Sequence, residues 1–180
     1  PSNPYDAKGL MKAAIRDPDP VIFMESEVMY SDKGEVPEGE YLLPIGVADV
    51  RRKGKDVTLI SFGKMMKVAH EAAEEMAKQG VECEVIDLRT VRPIDYATCI
   101  ESVKKTNRVV FADEDVPGGA SAFMMQKVLE EQGGYFHLDS QPITIAAKEH
   151  RPAYSSDGDY FSKPNVETVF DAIYALMGET

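Results

Sequence analysis

The chain has 180 residues, 43% of them apolar and 28% charged, with a formal net charge of −11. That apolar share can bury a core, and the length predicts one domain with a short flanking segment. The acidity excludes a nucleic-acid partner, whose phosphates would repel it, and the sequence has no run of 18 apolar residues that would span a membrane as a helix.

The chain opens on Pro1-Ser2-Asn3-Pro4, without Met and without a signal peptide, which reads as a cut or processed piece of a longer polypeptide. Gly9 to Ile15 has a short helical pattern. Asp17-Pro18-Asp19-Pro20 stops it, because two prolines at alternate positions forbid helix continuation. Val21 to Met24 is predicted as a buried strand. Residues 1–25 therefore read as the last helix and strand of another domain, whose sheet is not in this chain. Glu25 to Pro44 is polar and carries Gly34, Pro37 and Gly39, the composition of a linker or long surface loop. Leu42 to Val50 suits a short edge strand, and Arg51 to Lys55 a turn.

Val57 to Phe62 is a strand stopped by Gly63. A helix follows from Met65 to Lys78, with Val68, Ala69, Ala72, Ala73 and Met76 on one face and Glu71, Glu74, Glu75 and Lys78 off it. Gly80 is placed to end it, and Cys83 to Leu88 is the next strand. A β-helix-β unit of this length is the building block of a parallel sheet. Asp95 is an N-cap for a helix from Tyr96 to Lys105, and Arg108 to Ala112 is a third strand. After the loop Asp113 to Gly119 comes a helix from Ala120 to Glu131, ended by Gly133-Gly134. Pro142 to Ala147 is a fourth strand and Lys148 to Pro164 a loop. Asn165 caps a last helix reaching Met177, in which Val166, Val169, Phe170, Ile173 and Leu176 repeat at helical spacing. The alternation predicts an α/β domain with a mainly parallel sheet and helices on both faces.

No glycine-rich phosphate loop follows the first strand of the main unit, which ends in Ser61-Phe62-Gly63-Lys64. Gly118-Gly119 precedes a helix, but Asp113, Glu114 and Asp115 would repel a diphosphate there, so a tight turn is the expectation. Cys83 and Cys99 lack metal-ligand spacing and read as buried thiols. His70 reads as a helix-surface or partly buried packing residue, and His137, ahead of a strand, as structural. The carboxyl edge of a parallel sheet is where open α/β folds place ligands. Arg89, Arg92, His150 and Arg151 are therefore candidates for a ligand edge or an interface, with ion pairs inside the domain as the alternative for the arginines. Asp17 and Asp19 would either ligate a hard cation together with backbone carbonyls or cap their own turn. The residues alone contain no catalytic constellation.

Three stretches carry a resemblance: AAIRDPDPV from Ala13, the proline-isoleucine-glycine pattern of Pro44 to Ala48, and DLRTVRPID from Asp87. In their order and spacing the chain resembles the beta subunit, or the beta-like half of a fused chain, of thiamine-diphosphate-dependent 2-oxo acid dehydrogenases. The resemblance covers essentially all 180 residues. It implies the tail of a pyrimidine-binding domain at 1–25, a linker at 26–43, and a transketolase C-terminal-like, three-layer domain at 44–180. It also implies oxidative decarboxylation of a 2-oxo acid and acyl transfer to a lipoyl acyltransferase. The cofactor-activating glutamate and the catalytic histidine would lie ahead of Pro1, so no catalytic or cofactor-binding residue is assigned to this chain.

Thiamine diphosphate and magnesium would be held with an alpha subunit or alpha-like half. A structural potassium ion would map to Ala14, Ile15, Asp17 and Asp19, although relatives often carry asparagine at the place of Asp19. The expected partners are the alpha subunit, a second beta chain, and the basic subunit-binding domain of the acyltransferase, docked on Glu167, Asp171 and Glu179. The loop from Arg151 to Pro164 is similar to fused bacterial enzymes and tilts the expected substrate toward a branched-chain acid such as 2-oxoisovalerate. Pyruvate is the alternative, and another transketolase-superfamily enzyme the third. The expected compartment is the bacterial cytoplasm, or the mitochondrial matrix in a eukaryote.

Overall fold

The computed structural model describes residues 1–152 and 154–178. Its first helix, α1, runs Pro4–Arg16, starting at Pro4 rather than Gly9. Asn3 sets that start: its side chain accepts the Asp6 N–H at 2.9 Å. Pro4 fills the first turn, where its missing N–H costs nothing.

The strand predicted at Val21 to Met24 is not formed. These residues belong to no strand or helix, and Ile22 is 88% exposed. A strand exists only where a neighbour satisfies its backbone groups, and no neighbour lies alongside this segment among the described residues. The edge strand also shifts along the chain. β1 is Asp49–Arg52, so Arg51 and Arg52 lie in a strand and not in a turn.

The remaining strands are β2 (Val57–Ser61), β3 (Cys83–Asp87), β4 (Val109–Ala112) and β5 (Ile143–Ile145), in the sheet order β1-β3-β2-β4-β5. β3, β2, β4 and β5 pair in parallel, and β1 runs antiparallel to β3 with Asp49 opposite Asp87. All residues of β2, β3 and β4 are buried, as expected for strands covered on both faces.

The side chains alternate between two cores. Val57, Leu59, Cys83, Val85 and Val110 pack with α2 (Met65–Lys78) and α6 (Val166–Met177). Ile60, Ile86, Leu88, Val109 and Phe111 pack with α3 (Tyr96–Thr106) and the helix that begins at Ala120. The second face also receives Thr58, whose hydroxyl bonds Ser102 at 2.6 Å and Thr106 at 2.7 Å, both on α3.

The topology follows from the crossovers. The chain moves from β2 through α2 to the neighbouring β3, then back across β2 through α3 to β4. Crossovers of one hand that run in opposite directions put their helices on opposite faces. The direction reverses between β2 and β4, which makes that gap the topological switch point.

Two segments differ from the periodicity reading. The predicted helix from Ala120 to Glu131 is α-helical only over α4 (Ala120–Met125) and continues as a π-helical turn over Gln126–Glu131. The predicted loop from Lys148 to Pro164 contains a short helix, α5 (Ser156–Ser162). The prolines and glycine of this stretch masked it: Pro152 and Pro164 lie outside the helix, and Gly158 sits inside it and is buried.

Candidate functional site

The carboxyl ends of β2, β3 and β4 gather most of the buried charge. β3 ends at Asp87, and Arg89 follows with a left-handed backbone, φ 57°. Its side chain, 11% exposed, turns onto α1. Nε meets Asp6 Oδ2 at 3.1 Å, Nη2 meets Asp6 Oδ1 at 2.9 Å, and Nη2 also donates to Asp49 Oδ2 at 3.0 Å. Asp6 is fully buried. The fork geometry of a guanidinium suits this two-oxygen contact. Burial works against the Arg89 cation, but Asp6, Asp49 and Asp87 outweigh it and hold its pKa above the usual value.

Asp87 accepts from the Arg89 N–H at 2.9 Å and from the Ser2 hydroxyl. Burial raises its pKa despite those bonds. One residue on, Thr90 Oγ1 accepts from the Gly46 N–H and donates to the Pro93 carbonyl, each at 3.0 Å. The stretch Asp87 to Thr90 thus clasps three segments: α1, the turn at Gly46, and β1. Beside it lies a cleft of about 420 Å³ whose walls include Ser2, Asp49, Arg51, Lys67, His70 and Glu71.

The second cluster lies at the switch point. Lys64, after β2, meets Glu114 at 3.4 Å and Asp159 at 3.9 Å. Lys163 meets Glu114 at 3.3 Å and Asp159 at 3.6 Å. This ring of two cations and two anions ties α5 over the crevice between β2 and β4. Asp113, which follows β4, is 5% exposed, and burial raises its pKa. Its Oδ1 accepts the Glu114 N–H at 2.7 Å, while its Oδ2 has no partner.

These residues do not fit the diphosphate of thiamine diphosphate. The crevice presents Asp113, Glu114 and Asp115, and its two lysines are already paired. A dianion there would meet carboxylates first. At the glycine pair, a side chain on Gly119 would run into Asp115, 2.4 Å from its carboxylate, so the turn is filled by its own acid.

The other candidates are placed apart. Arg92 is exposed and lies over the Phe123 ring at 5.3 Å. His150 and Arg151 bond within their own loop: His150 Nδ1 lies 3.1 Å from the Arg151 carbonyl, and Arg151 donates to the Tyr154 hydroxyl at 2.8 Å. Glu167 and Asp171 are four residues apart and share one exposed face of α6, with Glu167 accepting from Tyr160 at 2.6 Å. Glu179 lies outside the described residues.

At the proline turn, Asp17 Oδ1 accepts the Asp19 N–H at 3.0 Å, and the Ala14 carbonyl accepts the Asp17 N–H at 3.3 Å. Ile15 is 74% exposed. Among the described residues, no three His, Cys, Asp or Glu side chains are grouped to hold a metal ion, and no helix is long and apolar enough to cross a membrane.

The sequence reading missed Ser2, Asp6, Asp49 and Asp87, and the ring of Lys64, Glu114, Asp159 and Lys163. The one signal available was Asp6 itself, an acid in the first turn of a helix that the reading started too late. The other members are brought together only by the sheet order.

The sheet order, switch point and two-sided helical cover define a doubly wound α/β domain whose mainly parallel sheet carries one antiparallel edge strand. Residues 46–165 match the model of the transketolase C-terminal domain, and the chain belongs to that family.

It is 46% identical over 178 residues to the pyruvate dehydrogenase E1 component subunit beta of Rhizobium meliloti, covering 98% of this chain and 38% of that protein. It is 40% identical over 182 residues to the acetoin:2,6-dichlorophenolindophenol oxidoreductase subunit beta of Bacillus subtilis, covering 99% and 52%. It is 46% identical over 154 residues to the 2-oxoisovalerate dehydrogenase subunit beta of Bacillus subtilis, covering 85% and 46%. Among solved structures, a split gene transketolase in an inactive beta4 tetramer has a TM-score of 0.64 at 25% identity, covering 81% of this chain and 46% of that one. The chain spans about half the length, or less, of the curated relatives it matches.

Proposed function

We propose that the chain is the C-terminal portion of the beta subunit, or beta-like half, of a thiamine-diphosphate-dependent 2-oxo acid dehydrogenase. The observation that carries this is the 46% identity over 178 residues to a pyruvate dehydrogenase beta subunit. In this reading residues 1–25 end a pyrimidine-binding domain, 26–43 form a linker, and 44–180 are the C-terminal domain.

The whole enzyme decarboxylates a 2-oxo acid oxidatively and passes the acyl group to a lipoyl acyltransferase. The relatives named for pyruvate and for 2-oxoisovalerate are each 46% identical, so similarity favours neither acid. The cofactor's diphosphate and magnesium sit with the alpha partner, in keeping with the acidic crevice of this chain. The chain by itself serves assembly, through a second beta chain and through acyltransferase docking at Glu167 and Asp171, with Glu179 as a further acid in sequence. The Ala14 and Ile15 carbonyls and the Asp17 and Asp19 carboxylates would supply one side of a potassium site, since the bonded oxygens of Ala14 and Asp17 each keep a lone pair. The compartment is the bacterial cytoplasm or the mitochondrial matrix, matching the bacterial and mitochondrial relatives.

The test is reconstitution of the full-length subunit with its alpha partner, followed by assay with pyruvate, 2-oxoisovalerate and acetoin. Turnover of a 2-oxo acid that depends on added thiamine diphosphate is expected. Turnover of acetoin alone, or of none with cofactor bound, overturns the reading.

A further inference from the structure

Helix α1 is attached in an unusual way for a helix at the edge of an α/β domain. Neither apolar core contains one of its residues. Its buried residues are Asp6, Gly9 and Leu10. Its other bonded and ring attachments run to residues 37–43, which are not in the sheet: the Tyr5–Tyr41 ring stack at 4.6 Å, the Tyr41 hydroxyl on the Tyr5 carbonyl at 2.8 Å, the Leu43 N–H on the Gly9 carbonyl at 3.2 Å, Lys8 on the Pro37 and Gly39 carbonyls, and Arg16 paired with Glu40. Most helices are held by an apolar stripe. Here the central contact is an ion pair, Asp6 with Arg89, and it is fully buried on the Asp6 side.

Two features mark Arg89 as more than one pair among many. First, it takes a left-handed backbone, which is unfavourable for a non-glycine residue and persists only where its surroundings hold it. That turn is what directs the side chain from the end of β3 back onto α1. Second, one guanidinium serves two carboxylates on different elements, Asp6 on α1 and Asp49 on β1. A planar fork fixes both direction and distance, which a point charge does not.

We propose that Arg89 is a positioning residue: its fork on Asp6 and Asp49 sets the place of α1 on the sheet edge, and with it the place of whatever chain is joined ahead of α1. The second half of this statement rests on the proposed function, in which that chain carries the cofactor-activating residues. Arg89 is then the joint between the two domains, and it acts on the chemistry through α1 without touching substrate.

The experiment has two arms. In the full-length subunit, hydrogen exchange is followed by mass spectrometry in α1 (Pro4–Arg16) and, as control, in β2 (Val57–Ser61), for wild type, Arg89→Lys, Arg89→Gln and Asp6→Asn. All three variants should exchange α1 amides about tenfold faster with β2 unchanged, because α1 loosens as a local unit. Arg89→Lys should behave like Arg89→Gln, since the fork and not the charge does the placing. Unchanged α1 exchange, equal acceleration of α1 and β2, or full rescue by lysine overturns the proposal.

In the full-length enzyme, Arg89→Lys should lower kcat about tenfold with KM for the 2-oxo acid within about twofold, as expected when a reacting group is displaced without loss of substrate binding. Unchanged kcat overturns the catalytic half. A wild-type enzyme that turns over no 2-oxo acid overturns the proposed function, and the exchange arm then still decides the joint.

Discussion

The Asp95 carboxylate accepts the backbone N–H of Ala48 at 3.0 Å while it caps α3 through the Thr98 N–H at 3.1 Å and the Thr98 hydroxyl at 2.8 Å. One side chain therefore starts a helix and anchors the approach to β1, 47 residues earlier in the chain. Burial works to raise its pKa, but the bonds from Ala48, Thr98 and Ala97 prevail and hold it below the usual aspartate range. Asp95→Ala should cost about 2 kcal/mol, the sum of a lost cap and an N–H left short of a partner. Urea unfolding of the variant measures it. Because the folded pKa is depressed, this contribution is present above the unfolded pKa of the group and fades as pH falls through the folded one. The gap between wild type and variant should therefore close in acid.

Asp113 has the opposite sign. Burial raises its pKa, and Oδ2 has no partner. A carboxyl with a raised folded pKa contributes stability that is full below its unfolded pKa and is lost as pH rises through the folded value. Asp113→Asn removes the buried charge. The Tm difference in favour of the variant should grow from pH 4 to pH 8, and thermal melts across that range check it. A difference independent of pH would show that the carboxyl stays in one state throughout.

The ring of Lys64, Glu114, Asp159 and Lys163 predicts a salt-sensitive α5. Its four side chains are between about a quarter and three-fifths exposed, so each pair is worth little alone and is screened as ionic strength rises. Chymotryptic cleavage after Phe161, in the last turn of α5, should speed up severalfold between low salt and about 0.5 M salt, and Lys64→Ala should remove most of that dependence. Cleavage indifferent to salt would mean that α5 is held by its apolar and backbone contacts instead.

Cys83 and Cys99 are buried in opposite cores, and burial pushes both thiols up to about 12. The thiolate is the reactive form, so neither should react with a thiol reagent at pH 8 in the native state, and both should react at once in denaturant. Labelling of one cysteine under native conditions would report local opening of that face of the sheet.

The β2-α2-β3 unit was legible in the sequence because one residue's side of the helix or sheet decides burial there. Val68, Ala69, Ala72, Ala73 and Met76 recur at 3.6 spacing, and the structure starts and stops α2 at the predicted Met65 and Lys78. Asp95 and Asn165 announced their helices for the same local reason: a cap acts within three residues. Val21 to Met24 misled because β-propensity does not supply a partner strand. The candidates Arg89 and Arg92 were read alike from their place at a strand end, yet one is taken into a buried fork and the other lies on an aromatic ring.

By itself the sequence determined the α/β class, the alternation of strands and helices, and the two caps, all of which depend on neighbours within a few residues. Tertiary structure decided the rest. Which strands are adjacent, where the order reverses, and that Asp6 and Asp49 converge on Arg89 depend on pairing across 40 to 83 residues. Charge says that such groups will seek partners, and only the path of the chain through the sheet says which partners are within reach.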